Sequence, residues 1–183
     1  MNKPLSLVIR YALILLAGLG NLFIFYKIFS PITFYLSSSI LSLFGEVVNL
    51  YSLRVFIFNQ AVVELINACI AGSAYYLLFI LALAIPSIVL RKRIYLLAFS
   101  FGSLLILNVL RIVLMSLIAG TVYFEPVHMI FWYLVSLVFV VGIWFSAVKL
   151  FSIKEIPIYS DLVYLMDQIK KPKRKPKYKK SSN

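Results

Sequence analysis

Charged residues are scarce in this sequence, and so are the side chains that build disulfides and metal sites. Only 13% of the 183 residues are charged and only six are acidic, whereas a soluble domain typically carries about 25% charged residues. A single cysteine, Cys69, excludes an intramolecular disulfide, and no Cys/His cluster has metal-ligand spacing. The composition therefore excludes a soluble globular domain and a disordered chain, and we expect no cofactor or metal.

Long apolar runs take the place of the missing charges. The chain is 63% hydrophobic with a mean hydropathy of +1.00, which predicts an all-α integral membrane protein. About four transmembrane helices are predicted, at residues 5–29, 70–90, 94–120 and 129–148. The first run is interpreted as a helix and not as a signal peptide, because its apolar body is long and no small-x-small cleavage site follows it.

The positions of the cations predict how the chain is oriented in a plasma membrane. With four helices and both termini in the cytoplasm, 15 of the 18 cations lie inside: Lys3, Arg10, Arg91, Lys92, Arg93, Lys149, Lys154 and eight in the tail. Only Lys27 and Arg54 lie outside, and Arg111 lies within the membrane. Because lysine and arginine are retained on the cytoplasmic side, the chain is expected to be a multi-pass protein with both termini inside.

The segment between the first two spans is less apolar and is predicted to lie on the outer side. Ser30 and Pro31 are typical of a helix start, and Gly45 is typical of a helix end. Residues 31–44 are therefore predicted to form an interfacial amphipathic helix, which is too short for a span.

Residues 46–66 are predicted to form a short extracytoplasmic segment resembling a β-hairpin. Two strand-like runs flank the polar pair Asn59-Gln60. An open sheet cannot face lipid, so the hairpin is expected on the outer surface or packed on protein. A buried re-entrant segment is the alternative.

Three residues whose side chains can take part in catalysis converge on the outer side in this topology. Cys69 precedes the second predicted span, His128 precedes the fourth, and Arg111 lies nine residues before Gly120. An arginine within a span costs about 2.5–3.5 kcal/mol on insertion scales, which indicates a role in a site; snorkelling to lipid or structural pairing are the alternatives. Asn108 lies three residues before Arg111, on the same helix face, and could orient the guanidinium, bind a ligand or bridge helices.

A thiol, an imidazole and a guanidinium together allow nucleophilic catalysis. A thiol beside low-dielectric lipid resists ionisation and needs a base or a cation to become a thiolate. A histidine can take and return the proton, and an arginine can stabilise developing negative charge. Taken singly, a lone cysteine or histidine in such a chain is more often a packing residue.

The residues around these three positions resemble a known family. The matching pieces are VELINACIAG from Val63 to Gly72, NVLRI from Asn108 to Ile112, and His128. Together with a helix ending at Gly45 and a strand-rich segment before the cysteine, this pattern resembles the exosortase/archaeosortase family of membrane cysteine transpeptidases over residues 30–150. Ile70 and Ala71 stand where that family usually has Ser or Thr followed by glycine, which indicates a divergent, archaeal-type subgroup.

The resemblance implies an activity and a role for each residue. Cys69 would be the nucleophile, Arg111 the electrostatic stabiliser, His128 the acid and base, and Asn108 a supporting residue. The substrates would be exported surface proteins whose C-terminal sorting signal combines a short motif, a hydrophobic helix and a basic cluster. The enzyme would cleave that signal through a thioester and transfer the protein to an acceptor such as a lipid.

The C-terminal region is predicted to be separate from the membrane-embedded catalytic domain, which covers residues 1–154. Residues 155–169 have the apolar spacing of a surface-lying amphipathic helix. Residues 170–183 are expected to be a disordered polybasic tail that binds anionic lipid, and nucleic acid is not expected as a partner. The rivals to an enzyme are a non-catalytic membrane scaffold or assembly factor and a small transporter or channel subunit.

Overall fold

The computed structural model describes residues 3–20, 22–86, 88–132 and 136–153, together with Asp161, Val163 and Met166. These residues form seven helices and one small sheet. The helices are α1 (Lys3–Leu19), α2 (Phe23–Leu41), α3 (Asn67–Ile70), α4 (Gly72–Ala84), α5 (Leu90–Leu117), α6 (Phe124–Ile130) and α7 (Ser136–Leu150). The strands are β1 (Val47–Leu50), β2 (Val55–Phe58) and β3 (Ala61–Glu64).

The prediction of a mainly helical chain with long apolar helices is confirmed. In the described part of the chain, three helical stretches are long and apolar enough to cross a membrane: Phe23–Leu41, Asn67–Ala84 and Leu90–Leu117. Two further apolar helical stretches, Leu5–Leu19 and Leu137–Leu150, are shorter. The predicted amphipathic segment 155–169 and the tail 170–183 lie outside the described residues, except that Asp161, Val163 and Met166 are helical.

The predicted boundary between the first span, 5–29, and the interfacial helix, 31–44, is wrong. The run 5–29 is interrupted between α1 and α2, where Leu22 adopts a left-handed conformation with φ 62°. Ser30 and Pro31 lie inside α2 and do not start a helix at 31–44. An interior proline costs about 3 kcal/mol, and burial of Phe34 and Leu41 in the core offsets that cost.

Three other predicted boundaries are also corrected. The span 70–90 ends early, at Ala84, because Ile85 precedes Pro86 and is extended. The span 94–120 begins earlier, so that Arg91, Lys92 and Arg93 form the first turn of α5. The span 129–148 does not begin after His128, since His128 lies within α6, which begins at Phe124.

The predicted hairpin is observed as β2 and β3, with an additional strand that the sequence did not predict. Asn59 and Gln60 both have positive φ, 45° and 72°, as the tight turns of two-residue hairpins require. β1 pairs antiparallel with β2, giving the order β1-β2-β3. Phe56 is buried and contacts Phe34 of α2, with ring centroids 5.8 Å apart. The sheet is therefore packed on α2.

The core where α2, α4 and α5 meet is rich in aromatic side chains. Phe29 of α2 stacks on Tyr75 of α4 with ring centroids 3.7 Å apart, and Phe101 of α5 packs edge-on against both. A Cβ at Gly72 would lie 2.6 Å from the ring of Tyr26, so glycine allows α2 to lie close against the start of α4. This packing fixes the helix that follows Cys69.

A buried polar cluster lies at the C-terminal end of α4. The guanidinium of Arg10 donates to both carboxylate oxygens of Asp161 at 2.8 and 2.9 Å and to the carbonyl of Leu83 at 3.1 Å. Arg93 donates to the carbonyl of Ile85 at 2.6 Å. These carbonyls are left without partners where a helix ends, so the two arginines satisfy the last turn of α4.

We predict that Arg10→Leu lowers the free energy of unfolding by about 3–5 kcal/mol, because it leaves the Asp161 carboxylate buried without its partner. Both side chains of this ion pair are only 7% exposed. Denaturant unfolding of the purified protein in detergent measures the change. Arg10→Leu combined with Asp161→Leu should recover most of the loss, and the control Lys27→Leu, at an exposed cation, should have little effect. Additive losses in the double variant would contradict the buried pair.

Candidate active site

One cavity of about 350 Å³ lies between the sheet and the ends of α5 and α6. Its wall includes the three residues that the sequence singled out, Cys69, Arg111 and His128. They come from α3, α5 and α6, and Cys69 lies 42 residues before Arg111 in the chain. The structure therefore brings the thiol, the guanidinium and the imidazole to a single space.

Cys69 is held in a single helical turn that directly follows the sheet. Its backbone N–H donates to the carbonyl of Ile66 at 2.9 Å, and its side chain is half-buried. The turn ends because Ala71 adopts a left-handed conformation with φ 59°. Since α4 starts only after this interruption, the carbonyl of Cys69 is available to side chains of the neighbouring helix.

Asn108 and Arg111 of α5 both bind that carbonyl. Nδ2 of Asn108 donates to the Cys69 oxygen at 2.7 Å, and Arg111 donates to it at 3.4 Å. Asn108 is 3% exposed and bridges α5 and α3. A bridge between helices is one of the three roles predicted for it. The contact of Arg111 is a structural pairing, and the same guanidinium lines the cavity.

Two aromatic side chains contact His128, Phe124 of α6 and Trp132 two residues beyond its end. The His128 ring stacks on Phe124 with centroids 5.4 Å apart and meets Trp132 edge-on at 6.0 Å. All three line the cavity. Among the described residues, no hydrogen bond joins the imidazole to the Cys69 thiol, and such contacts often form only when substrate is bound.

Neither the aromatic neighbours of His128 nor the cavity-lining residues of β3 were predicted from the sequence. Phe124, His128 and Trp132 are spaced four residues apart, which is the signal of a shared helix face. Glu64 lines the cavity and is exposed. A second nucleophile-bearing side chain in the wall, Ser116, is buried and donates to the carbonyl of Ile112 at 2.8 Å.

The arrangement can support acyl transfer by a thiol. Mostly apolar side chains line the cavity, among them Ile112, Met115 and Phe131, and electrostatic interactions are stronger beside apolar groups than in bulk water. A guanidinium in that setting stabilises a thiolate or an oxyanion. In the part of the chain that the structure describes, no three His, Cys, Asp or Glu side chains converge on a possible metal site.

Ala71 has a backbone conformation that alanine rarely adopts, with φ 59°. Glycine adopts positive φ at no steric cost, whereas another residue in this region carries about 1–2 kcal/mol of strain. The backbone at position 71 has therefore the conformation that glycine favours, although the residue is alanine.

We predict that Ala71→Gly raises the free energy of unfolding by about 0.5–1 kcal/mol, because relief of left-handed strain exceeds the entropic cost of glycine. Denaturant unfolding in detergent measures it. The matched control is Ala74→Gly, at a helical position of α4, which should be destabilised by about 0.5–1 kcal/mol. Equal destabilisation of both variants would be inconsistent with the left-handed turn.

Comparison with known proteins gives no relative from which a role could be transferred. No family model matches the chain, and neither a curated protein nor a solved structure matches it.

Proposed function

We propose that this chain is a membrane-embedded cysteine transpeptidase or protease that cleaves the C-terminal sorting signals of exported surface proteins. The observation that carries the proposal is the shared cavity, in which the chain's only thiol and only imidazole lie with Arg111. The resemblance of Cys69, Asn108, Arg111 and His128 to the exosortase/archaeosortase pattern supplies the reaction class.

The proposed reaction proceeds through a thioester. The Cys69 sulfur attacks the scissile carbonyl while its proton passes to His128, and Arg111 stabilises the oxyanion that forms. Collapse of this intermediate breaks the peptide bond, and His128 returns the proton to the leaving amine. An acceptor nucleophile then attacks the thioester and gives its proton to His128, which returns it to the departing sulfur of Cys69. The acceptor is a lipid or another amine or hydroxyl group, and water would give hydrolysis.

Asn108 acts as a positioning residue in this scheme. It binds the backbone carbonyl of Cys69 and therefore fixes where α3 lies against α5. Because a displacement of about 1 Å can cost on the order of 100-fold in rate, this bond holds the thiol at the distance from the guanidinium that the reaction needs.

The proposed topology places both termini in the cytoplasm and the cavity outside. Supporting it, Cys69 and the Arg10–Asp161 cluster lie at opposite ends of α4, whose 13 residues span about 20 Å. Arg91, Lys92 and Arg93 begin α5 at the end far from the cavity. This distribution agrees with retention of cations on the cytoplasmic side, and the tail would there bind anionic lipid.

A non-catalytic scaffold or assembly factor is the second candidate. The observation that favours it is the same pair of hydrogen bonds from Asn108 and Arg111 to the Cys69 carbonyl. Polar side chains often bridge helices in membranes without chemistry. The two functions differ in whether the thiol itself is needed.

We predict that Cys69→Ala abolishes processing of an exported protein that ends in a hydrophobic segment and a basic cluster. The loss should be at least about 1,000-fold, because removing a covalent nucleophile removes the reaction path. Immunoblotting of the full-length and shortened protein in cells measures it, with enzyme levels quantified in parallel.

Ser116→Ala is the matched control for this experiment. It removes the other nucleophile-bearing side chain of the cavity wall, whose hydroxyl is already bound to Ile112, and processing should continue. Unchanged processing in Cys69→Ala at normal protein levels would exclude the enzyme and favour the scaffold.

A further inference from the structure

We propose that the substrate binds as an added β-strand along the free edge of β3, which delivers its scissile carbonyl to Cys69. This inference rests on the proposed function and specifies how the same site recognises its substrate. The occupant is an extended peptide segment on the N-terminal side of the cleaved bond, recognised through its backbone.

The first observation is that the edge of β3, and not one of its faces, borders the cavity. Val62, Val63 and Glu64 of β3 line it, and so do the next two residues, Leu65 and Ile66. Successive side chains of a strand point to opposite faces, so a strand that presented one face would contribute only every second residue. An unbroken run indicates that the backbone edge runs along the cavity wall.

The second observation is that this edge is unpaired in the described structure. β3 is the last strand in the order β1-β2-β3, and its only strand neighbour among the described residues is β2. The two residues flanking the Asn59-Gln60 turn, Phe58 and Ala61, are paired across it. In a two-residue hairpin this pair exchanges hydrogen bonds, and the bonding alternates from there.

The alternation identifies which backbone groups face the cavity. Val63 pairs with Phe56 in the next hydrogen-bonded position, and Leu65 continues the ladder by donating to the carbonyl of Arg54 at 2.8 Å. Val62 and Glu64 occupy the positions between, so their N–H and C=O groups point away from β2. Two donors and two acceptors are therefore presented toward the cavity.

An extended peptide is the chemistry that this edge fits. Peptide backbone offers donors and acceptors in the same alternation, as in other cases of strand addition. A lipid chain offers neither, and it would leave these backbone groups without hydrogen-bond partners. Met115, Phe124 and Trp132 also line the cavity, and their apolar side chains suit those of a strand bound beside β3.

The position of Cys69 relative to β3 sets the direction of the bound segment. The chain passes from β3 through one helical turn to Cys69 and then into α4. In the proposed topology, a substrate also passes from its exported body to the cleaved bond and then to its membrane anchor. The segment therefore runs parallel to β3, with its upstream residues beside Val62 and its scissile bond beside Cys69.

Disulfide crosslinking tests this arrangement. In a Cys69→Ser background, Val62→Cys is the only cysteine of the chain, and Ile66→Cys is its partner variant nearer the site. The probe is an exported protein with a hydrophobic anchor and a basic end. It is made as eight variants, each with a single cysteine at one of eight successive positions upstream of the cleaved bond. Both proteins are expressed together in cells, oxidised, and the crosslinked fraction is measured.

Strand addition predicts that the crosslinked fraction varies with a period of two residues along the substrate. Alternate positions should crosslink at least about fivefold more than their neighbours, because successive side chains point to opposite faces. Val62→Cys should link positions farther upstream than Ile66→Cys does. The control Val48→Cys, an exposed position on the opposite edge strand β1, should not crosslink.

Other outcomes overturn the proposal. A flat profile, a period of three to four residues, or no crosslink from Val62→Cys excludes strand addition, and the reverse order for the two variants excludes the parallel direction. Processing in the Cys69→Ala variant tests the proposed enzymatic function separately from the binding mode. If that processing is lost while the crosslinks fail, the enzymatic function is supported and strand addition is excluded. If processing persists, both proposals are excluded.

Discussion

The backbone carbonyl of Cys69 is the point on which the site depends. It is released from helical hydrogen bonding by the left-handed Ala71 and is bound instead by Asn108 and Arg111. These bonds attach α3 to α5, and they hold the thiol where the end of the sheet meets the long helix. Because one of the two donors also lines the cavity, the interaction that builds the site also supplies its positive charge.

Polar side chains are grouped at the two ends of α4. The cavity lies at the start of this helix, and the buried ion pair of Arg10 and Asp161 lies at its end. Each group of polar side chains satisfies backbone carbonyls that the helix termini leave free. Between them the helices pack through aromatic rings such as Phe29 and Tyr75. The cavity and the buried ion pair thus lie at the two ends of α4, with packed aromatic rings between them.

The sequence predicted the helical class, the hairpin at Asn59-Gln60 and the residues that meet in the cavity, because hydrophobic runs, turn residues and rare polar residues are local signals. It did not predict that α2 continues through Pro31, since burial of Phe34 and Leu41 against distant elements outweighs the proline. Nor could it identify Asp161 as the partner of Arg10, 151 residues away. The strand β1 and the edge of β3 at the cavity likewise depend on tertiary packing.

The most direct test of this account is the rate at which Cys69 reacts, in intact cells, with a negatively charged thiol reagent that cannot cross the membrane. The account predicts labelling without permeabilisation, at a rate that falls at least about tenfold in Arg111→Gln, because the guanidinium stabilises the thiolate and attracts the anion. Labelling that requires permeabilisation, or that proceeds equally fast without the arginine, would contradict a reactive thiol in an outward-facing site.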